Sequence, residues 1–155
     1  MLTAILVPFA FALVAPWLCR RLGSRSGWIL AVAPAIAAWP AVSRLPIEPG
    51  AAFTEVLQWA PGFGVALAFR MDGLAATFAL MVTGVGVPLL VYAAGYLGKD
   101  PRLGRFMAAL LVFQGAMLGV VLADDLITLF VFWELTSVSS YVLIGFNHEK
   151  AESRA

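Results

Sequence analysis

Five long runs of the sequence carry no charged side chain, apart from one glutamate in the last run. They cover residues 2–19, 26–43, 73–97, 106–123 and 126–147, and Glu134 is the exception. A helix that rises about 1.5 Å per residue needs about 20 residues to cross a hydrocarbon layer about 30 Å thick. Because lipid offers no hydrogen-bond partner to an open backbone, each run is predicted to be helical. The sequence therefore predicts an all-α integral membrane protein with about five transmembrane helices.

The composition agrees with a membrane protein and argues against the chemistry of soluble enzymes. Hydrophobic residues make up 62% of the 155 residues and charged residues 12%, whereas soluble domains average about 45–50% and about 25%. The sequence has no glycine-rich nucleotide loop, no His/Cys set with metal spacing and no serine triad. Its single cysteine, Cys19, excludes an intrachain disulfide. We therefore expect no cofactor and no metal, and nothing in the charge points to nucleic acid.

The basic side chains are distributed unequally between the two sides of the predicted bundle. Two of them, Arg44 and Arg70, follow the second run, whereas eight follow the first, third and fifth runs. These eight are Arg20, Arg21, Arg25, Lys99, Arg102, Arg105, Lys150 and Arg154. Because loops rich in lysine and arginine remain in the cytoplasm, we expect an external N-terminus and a cytoplasmic C-terminus.

The segment from residue 44 to 71 is a long connection on the predicted outer side. Residues 63–69 form a short apolar stretch behind a Pro-Gly turn, which favours a strand or hairpin over a sixth span. Trp59 and Phe69 are candidates for anchors at the membrane interface. Asp72 stands where the third membrane helix needs an N-cap. We therefore predict a short external hairpin or loop, followed by a capped helix.

Glu134 is the main candidate for a functional residue. It lies near the middle of the last run, where a charged carboxylate costs about 2.5–3.5 kcal/mol on insertion-derived scales. Carboxylates at this depth usually face a bundle interior or a watery cavity and mark ion paths or proton relays. The alternative is a protonated glutamic acid that hydrogen bonds to a neighbouring helix. We favour a proton-coupling role for Glu134.

Further polar residues lie on the same predicted helix face as Glu134. At about 100° per residue, Ser137, Tyr141 and His148 fall within about 60° of it. A carboxyl, two hydroxyls and an imidazole are suited to a short hydrogen-bonded proton path, and histidine titrates near physiological pH. The alternative is that these side chains are ordinary interface and boundary residues. No lysine or arginine lies within the five runs, so any cation that pairs with Glu134 must come from elsewhere.

The fourth run contains two weaker signals. Gly115 and Gly119 form a GxxxG pattern, which predicts close helix packing and could also contact a partner. Gln114 is the only strongly polar residue of this run. We expect it to form an interhelical hydrogen bond rather than to bind an ion.

Two stretches of the sequence resemble the N-terminal part of the A subunit of Mrp-type multisubunit Na+/H+ antiporters. They are MDGLAATFALMVTGVGVPLLVYAAGYLGKDPRLGRF and FVFWELTSVSSYVLIGFNHEKAESR. This family is related to the antiporter-like, proton-pumping membrane subunits of respiratory NADH:quinone oxidoreductase. The resemblance identifies residues 1–155 as the N-terminal part of an antiporter-like transmembrane domain. It implies a transporter subunit in a bacterial plasma (inner) membrane rather than a free-standing enzyme.

The resemblance also implies a role and partners for the chain. In the family, the glutamate that matches Glu134 pairs with a lysine on a later helix, and this pair couples proton movement to the next channel. The expected partners are membrane lipid, several other antiporter subunits, protons and a monovalent cation, with Na+ the first choice. Two alternatives stay open, a proton-pumping membrane subunit of NADH:quinone oxidoreductase and a non-transporting assembly fragment.

Overall fold

The computed structural model describes residues 1–45, 47–48, 50–60, 62, 65–98 and 100–147. Six helices and one pair of strands follow each other along this described part of the chain. They are α1 (Leu2–Leu22), α2 (Ser26–Leu30), α3 (Val32–Val42), β1 (Phe53–Ala60), β2 (Val65–Met71), α4 (Gly73–Leu97), α5 (Leu103–Leu122) and α6 (Leu126–Ile144). Short 3-10 turns cover Gly23–Arg25 and Gly145–Asn147.

Four helical stretches of the described chain are long and apolar enough to cross a membrane. They are Leu2–Val42, Gly73–Leu97, Leu103–Leu122 and Leu126–Ile144. The first stretch has 41 residues, which as one straight helix would be about 60 Å long, twice the hydrocarbon thickness. The chain instead reverses near Gly23, whose φ is 54°, so that Met1 shares a buried cluster with Ala41. The prediction of an all-α integral membrane protein with about five crossing segments is confirmed.

The part of this first helical stretch that follows the reversal is interrupted between α2 and α3. Proline has no N–H, and its ring clashes with the carbonyl group four residues earlier. For Pro34 that carbonyl belongs to Leu30, where α2 ends. Ala31 forms the turn, and α3 begins at Val32. The interruption therefore lies where Pro34 removes one hydrogen bond of the helix.

Helix α5 lies at the centre of the bundle, in contact with α1, α4 and α6. Its glycines allow the close contacts: a methyl group at Gly104 would lie 2.7 Å from the Cα of Pro16, and one at Gly115 would lie 2.9 Å from the ring of Phe9. At Gly119 it would overlap the ring of Phe132. The packing prediction for the GxxxG pattern is confirmed. The suggested contact of its glycines with a partner is wrong, because α1 and α6 already cover them.

The connection between α3 and α4 contains the predicted hairpin. Strands β1 and β2 are antiparallel, and Glu55 lies opposite Phe69 in the register. Phe69 is only 1% exposed and makes an edge-to-face contact with the ring of Phe132, at a centroid distance of 5.9 Å. The prediction of an interface anchor is therefore wrong for Phe69, whereas Trp59 is exposed. Asp72 accepts a 2.9 Å hydrogen bond from the Ala75 N–H, so the predicted N-cap is confirmed.

Polar contacts attach the hairpin to one end of the bundle. Oε2 of Glu55 accepts hydrogen bonds from the N-terminal ammonium group at 2.7 Å and from the Leu2 N–H at 3.1 Å. Oδ2 of Asp125 accepts one from the Ala68 N–H of β2 at 3.0 Å. The N-terminus, the hairpin and the turn between α5 and α6 therefore share one end. A cleft lined by Arg20 and Arg105, among other residues, lies at the other end.

Candidate functional site

Glu134 lies in the middle of α6, the helix that begins after Asp125. The Asp125 carboxylate accepts hydrogen bonds from the N–H groups of Ile127 and Thr128 at 2.8 and 2.9 Å, which fixes the start of the helix. Glu134 follows nine residues later, about 13 Å along the axis at 1.5 Å per residue. From there α6 continues for ten more residues, to Ile144. The carboxylate therefore lies near the middle of the helix, far from both of its ends.

The face of α6 that carries Glu134 is turned away from the rest of the described chain. Thr128, Phe132 and Ser139 are the buried residues of α6. Glu134, Ser137 and Tyr141 are all exposed, Tyr141 to 79%. Because the other helices leave this face uncovered, the candidate residues do not point into the interior of the bundle formed by residues 1–147.

No cation within the described residues neutralises Glu134. The ion pairs there join the N-terminus to Glu55, Arg70 to Asp72, and Arg102 to Asp100. Each of these pairs lies at an end of the bundle, whereas Glu134 lies at mid-depth. An ionised carboxylate in hydrocarbon needs an opposite charge or a proton. Any cation that pairs with Glu134 must therefore come from outside the described residues.

The hydroxyl groups near Glu134 bond to their own helix. The Ser137 hydroxyl donates to the Trp133 carbonyl at 3.2 Å, and the Thr136 hydroxyl donates to the same carbonyl at 2.6 Å. Within the described residues, no direct hydrogen bond joins the carboxylate of Glu134 to Ser137 or Tyr141. His148 lies outside the described residues. The proton path through Ser137, Tyr141 and His148 therefore stays a prediction.

Arg102 and Phe106 contact the segment that follows the end of α6. Nη1 of Arg102 donates to the Phe146 carbonyl at 3.2 Å, and its guanidinium group lies 4.8 Å from the centroid of the Phe146 ring. The same ring makes an edge-to-face contact with Phe106 at 4.8 Å. The start of α5 thus positions the segment that follows α6, on the side where the sequence places most basic residues.

The interhelical hydrogen bond that was predicted for Gln114 is not found among the described residues. Gln114 is buried, and its Nε2 has no hydrogen-bond partner among the described residues. The side chain instead lies against Gly86 of α4, where a Cβ atom would overlap it. The residue is thus interhelical, as expected, but its amide nitrogen is unpaired within this part of the chain.

Sequence reasoning missed two carboxylates that hold together the end of the bundle that carries the hairpin. The hydrogen bond from the N-terminal ammonium group lowers the pKa of Glu55. Burial raises the pKa of Asp125, but hydrogen bonds from Thr128, Ala68 and Ile127 outweigh burial and lower it below its usual value. An aspartate before an apolar run is a recognisable cap signal, so the cap at Asp125 was predictable. The bond of Glu55 to the N-terminus was not, because 54 residues separate the partners.

Two protein-family models match the chain. The model described as NADH-ubiquinone oxidoreductase (complex I), chain 5 N-terminus, matches residues 58–107. The model described as NADH:quinone oxidoreductase/Mrp antiporter, TM, matches residues 123–155. The second match includes Glu134 and its polar neighbours.

Curated relatives match almost the whole chain. The A1 subunit of the Na+/H+ antiporter of Staphylococcus haemolyticus is 41% identical over 152 residues, which are 97% of this chain and 19% of the relative. The protein of the same name from Staphylococcus aureus is 40% identical with the same coverage. The chain therefore spans about a fifth of the length of the curated relatives it matches.

Two solved structures share the fold. A chain of the Mrp complex from Dietzia sp. DQ12-45-1b superposes with a TM-score of 0.82 at 34% identity, covering 93% of this chain and 16% of that one. A chain of the archaeal membrane-bound sulfane sulfur reductase superposes with a TM-score of 0.75 at 23% identity, covering 92% of this chain and 22% of that one. The second likeness concerns the fold alone.

Proposed function

We propose that this chain, which belongs to the family of Mrp-type antiporter A subunits and their relatives in NADH:quinone oxidoreductase, takes part in exchanging a monovalent cation for protons. Na+ is the proposed cation, since the curated relatives are named Na+/H+ antiporter subunits. The proposed location is a bacterial plasma membrane, where the chain assembles with the other antiporter subunits. The Mrp complex that contains the superposed chain supports this assembly.

The position of Glu134 carries the proposal. Its carboxylate lies at mid-depth on an exposed helix face, and no described cation neutralises it. In a low-dielectric surrounding, an approaching cation favours the ionised form of a carboxylate, and its withdrawal favours the protonated form. A lysine on a later helix of the assembled subunit is the proposed partner. Movement of this lysine would load and unload a proton at Glu134, and this would couple the two ion fluxes.

The test is the substitution Glu134→Gln in the assembled antiporter complex. Glutamine keeps the shape of the side chain but cannot exchange a proton. We expect Na+/H+ exchange in everted vesicles to fall by roughly 10²–10⁴-fold, the contribution of a positioned proton-transfer group. The matched control is Glu48→Gln, the same chemical change at an exposed loop position, and it should leave exchange unchanged. Normal exchange by Glu134→Gln at equal complex levels would rule out the coupling role.

A second candidate is a proton-pumping membrane chain of a respiratory NADH:quinone oxidoreductase. The family model over residues 58–107 favours it. The two candidate functions differ in the source of free energy that drives proton movement. Proton movement that follows an imposed Na+ gradient supports the antiporter, whereas movement that requires NADH and a quinone supports the respiratory chain. If the variant changes neither, the remaining alternative is a non-transporting assembly role.

A further inference from the structure

A polar cleft lies at the end of the bundle opposite the hairpin, where α1 ends and α5 begins. Its volume is about 330 Å³. Arg20 lies two residues before the end of α1, Arg105 lies two residues after the start of α5, and both line the cleft. Helix α5 has 20 residues, about 30 Å, which matches the thickness of the hydrocarbon layer. We therefore expect the two guanidinium groups at the level of the lipid headgroups.

Neither arginine of the cleft has an ionic partner in the part of the chain that the structure describes. Both side chains are exposed, and the ion pairs among the described residues join other groups. Asp100 also lines the cleft, but its Oδ2 lies 3.2 Å from Nη2 of Arg102, which neutralises it. The cleft therefore presents two positive charges that the described side chains leave unneutralised.

An apolar groove adjoins this cleft and follows α5 and α6 toward the middle of the bundle. Its volume is also about 330 Å³. Pro16 and Arg105 line both spaces, so the groove begins at the cleft. Along α5 it extends from Arg105 to Val112, about 10 Å. Ser139 is the one hydroxyl among the described residues that line it, and this hydroxyl donates to the Leu135 carbonyl at 2.7 Å. The groove therefore offers an apolar surface.

We propose that the cleft and the groove together bind one anionic phospholipid. Its phosphate group contacts the guanidinium groups of Arg20 and Arg105, and one acyl chain lies in the groove. Guanidinium groups bind phosphate oxygens through charge-assisted hydrogen bonds, and basic pockets between transmembrane helices are suited to acidic headgroups. A free phosphate ion would use the cleft alone. A phospholipid matches both spaces, because its charged and apolar parts are joined at the depth where the cleft meets the groove.

Photoactivatable lipids test this proposal in the complete antiporter complex, reconstituted in vesicles. A phosphatidylglycerol probe and a phosphatidylcholine probe carry the same diazirine on an acyl chain, and peptide mass spectrometry locates the adducts. We expect the phosphatidylglycerol probe to label residues 105–112 and 135–142 in preference to the phosphatidylcholine probe. The expected preference is roughly thirtyfold, from about 1 kcal/mol for each of two basic side chains near a membrane surface.

Charge-removing variants test the two arginines. Arg20→Gln with Arg105→Gln should abolish the preference, and each change alone should lower it roughly fivefold. The matched control is Arg21→Gln with Arg25→Gln, which removes the same charge from two exposed arginines outside the cleft. The guanidinium group of Arg21 lies instead 5.5 Å from the centroid of the Trp17 ring. If both double variants lose the preference equally, only the surface potential attracts the lipid and the proposal fails.

A bulky side chain tests the groove separately. Ala109 lines the groove, so Ala109→Phe should displace the acyl chain and lower the labelling of residues 135–142 while both arginines remain. The control is Ala35→Phe, the same change at an exposed position of α3, compared at equal levels of assembled complex. Labelling that Ala109→Phe leaves unchanged would show that the acyl chain does not occupy the groove.

Other occupants of the two spaces give different results. Equal labelling by the two lipid probes would contradict selectivity for an anionic headgroup. If neither probe labels the groove, protein covers it and the proposal fails. Displacement of the phosphatidylglycerol probe by inorganic phosphate, at an ionic strength where NaCl has no effect, would assign the cleft to a free anion. The readout is binding, so it is independent of whether Glu134 couples ion exchange.

Discussion

At Glu134, α6 carries a carboxylate on a face that no other described helix covers. The same face carries the exposed side chains of Ser137 and Tyr141. The hydroxyl of Ser137 already bonds to the backbone of its own helix, so a proton path would need this hydroxyl to rotate or a water molecule to bridge it. The residues of the predicted path therefore share one exposed surface of α6. The groups with which they would exchange protons depend on the protein segment that covers this surface.

Two substitutions test the path residue by residue. Tyr141→Phe and His148→Ala remove a hydroxyl and an imidazole while leaving Glu134 in place. We expect both to shift the pH dependence of Na+/H+ exchange, because each removes a group of the proposed proton path to Glu134. Tyr96→Phe is the control, since Tyr96 is a similarly exposed tyrosine on α4. If all three pH profiles match that of the unmodified complex, the path is excluded.

At the scale of elements, the hairpin joins helices that are distant in sequence. Glu55 of β1 binds the start of α1, and Ala68 of β2 binds Asp125 at the start of α6. The hydroxyl of Thr128 donates to Asp125 at 2.6 Å, and the Asp124 N–H donates to the Ala68 carbonyl at 2.9 Å. The hairpin therefore acts as a clamp on the two helices, and it fixes the position of the helix that carries Glu134.

The clamp should weaken in acid. The folded-state pKa values of Glu55 and Asp125 are both lowered, so their stabilisation is present above the ordinary carboxyl pKa of about 4 and is lost as the pH falls through the lower folded values. We expect hydrogen-exchange protection of β2, corrected for intrinsic rates, to decrease below about pH 4.

Glu55→Gln should cause part of that loss already at pH 7. Its expected size is about two- to fivefold in protection, the range for a partly exposed ion pair. Glu48→Gln is again the control. Protection of β2 that is independent of pH and of Glu55 would contradict the role of these carboxylates.

At the scale of the whole molecule, the bundle has two chemically different ends. The N-terminus, the hairpin and Asp125 lie at one end, and Arg20 and Arg105 lie at the other. The positive-inside rule predicts that the basic end lies in the cytoplasm. Glu134 lies between these ends, so a proton that passes along α6 toward Tyr141 moves toward the basic end.

Cysteine labelling checks this orientation. Cys19 is buried, with its Sγ 3.2 Å from the Ser26 Oγ, so it is replaced by alanine. Single cysteines are then placed at two exposed positions, Thr54 in β1 and Ser24 in the turn after α1. A membrane-impermeant maleimide added to intact cells should label Thr54→Cys and not Ser24→Cys. The reverse pattern would invert the topology.

Much of the fold was predictable because local rules produce it. Charge-free runs predict membrane helices, Asp72 predicts a cap, and a Pro-Gly turn beside a short apolar stretch predicts a hairpin. Local reasoning failed for Phe69, because burial against Phe132 joins residues 63 positions apart.

The sequence by itself determined that this chain lies in a membrane, how its basic residues are distributed and that one carboxylate lies at mid-depth. These properties depend on hydropathy and on helical periodicity, which are sums over neighbouring residues. Only the tertiary structure decided that α5 is central, that the face of Glu134 is uncovered by the described helices and that the amide of Gln114 is buried without a partner among them. The physical reason is that burial depends on which helices pack together. That packing is set by contacts between residues far apart in the chain, such as Gly115 with Phe9.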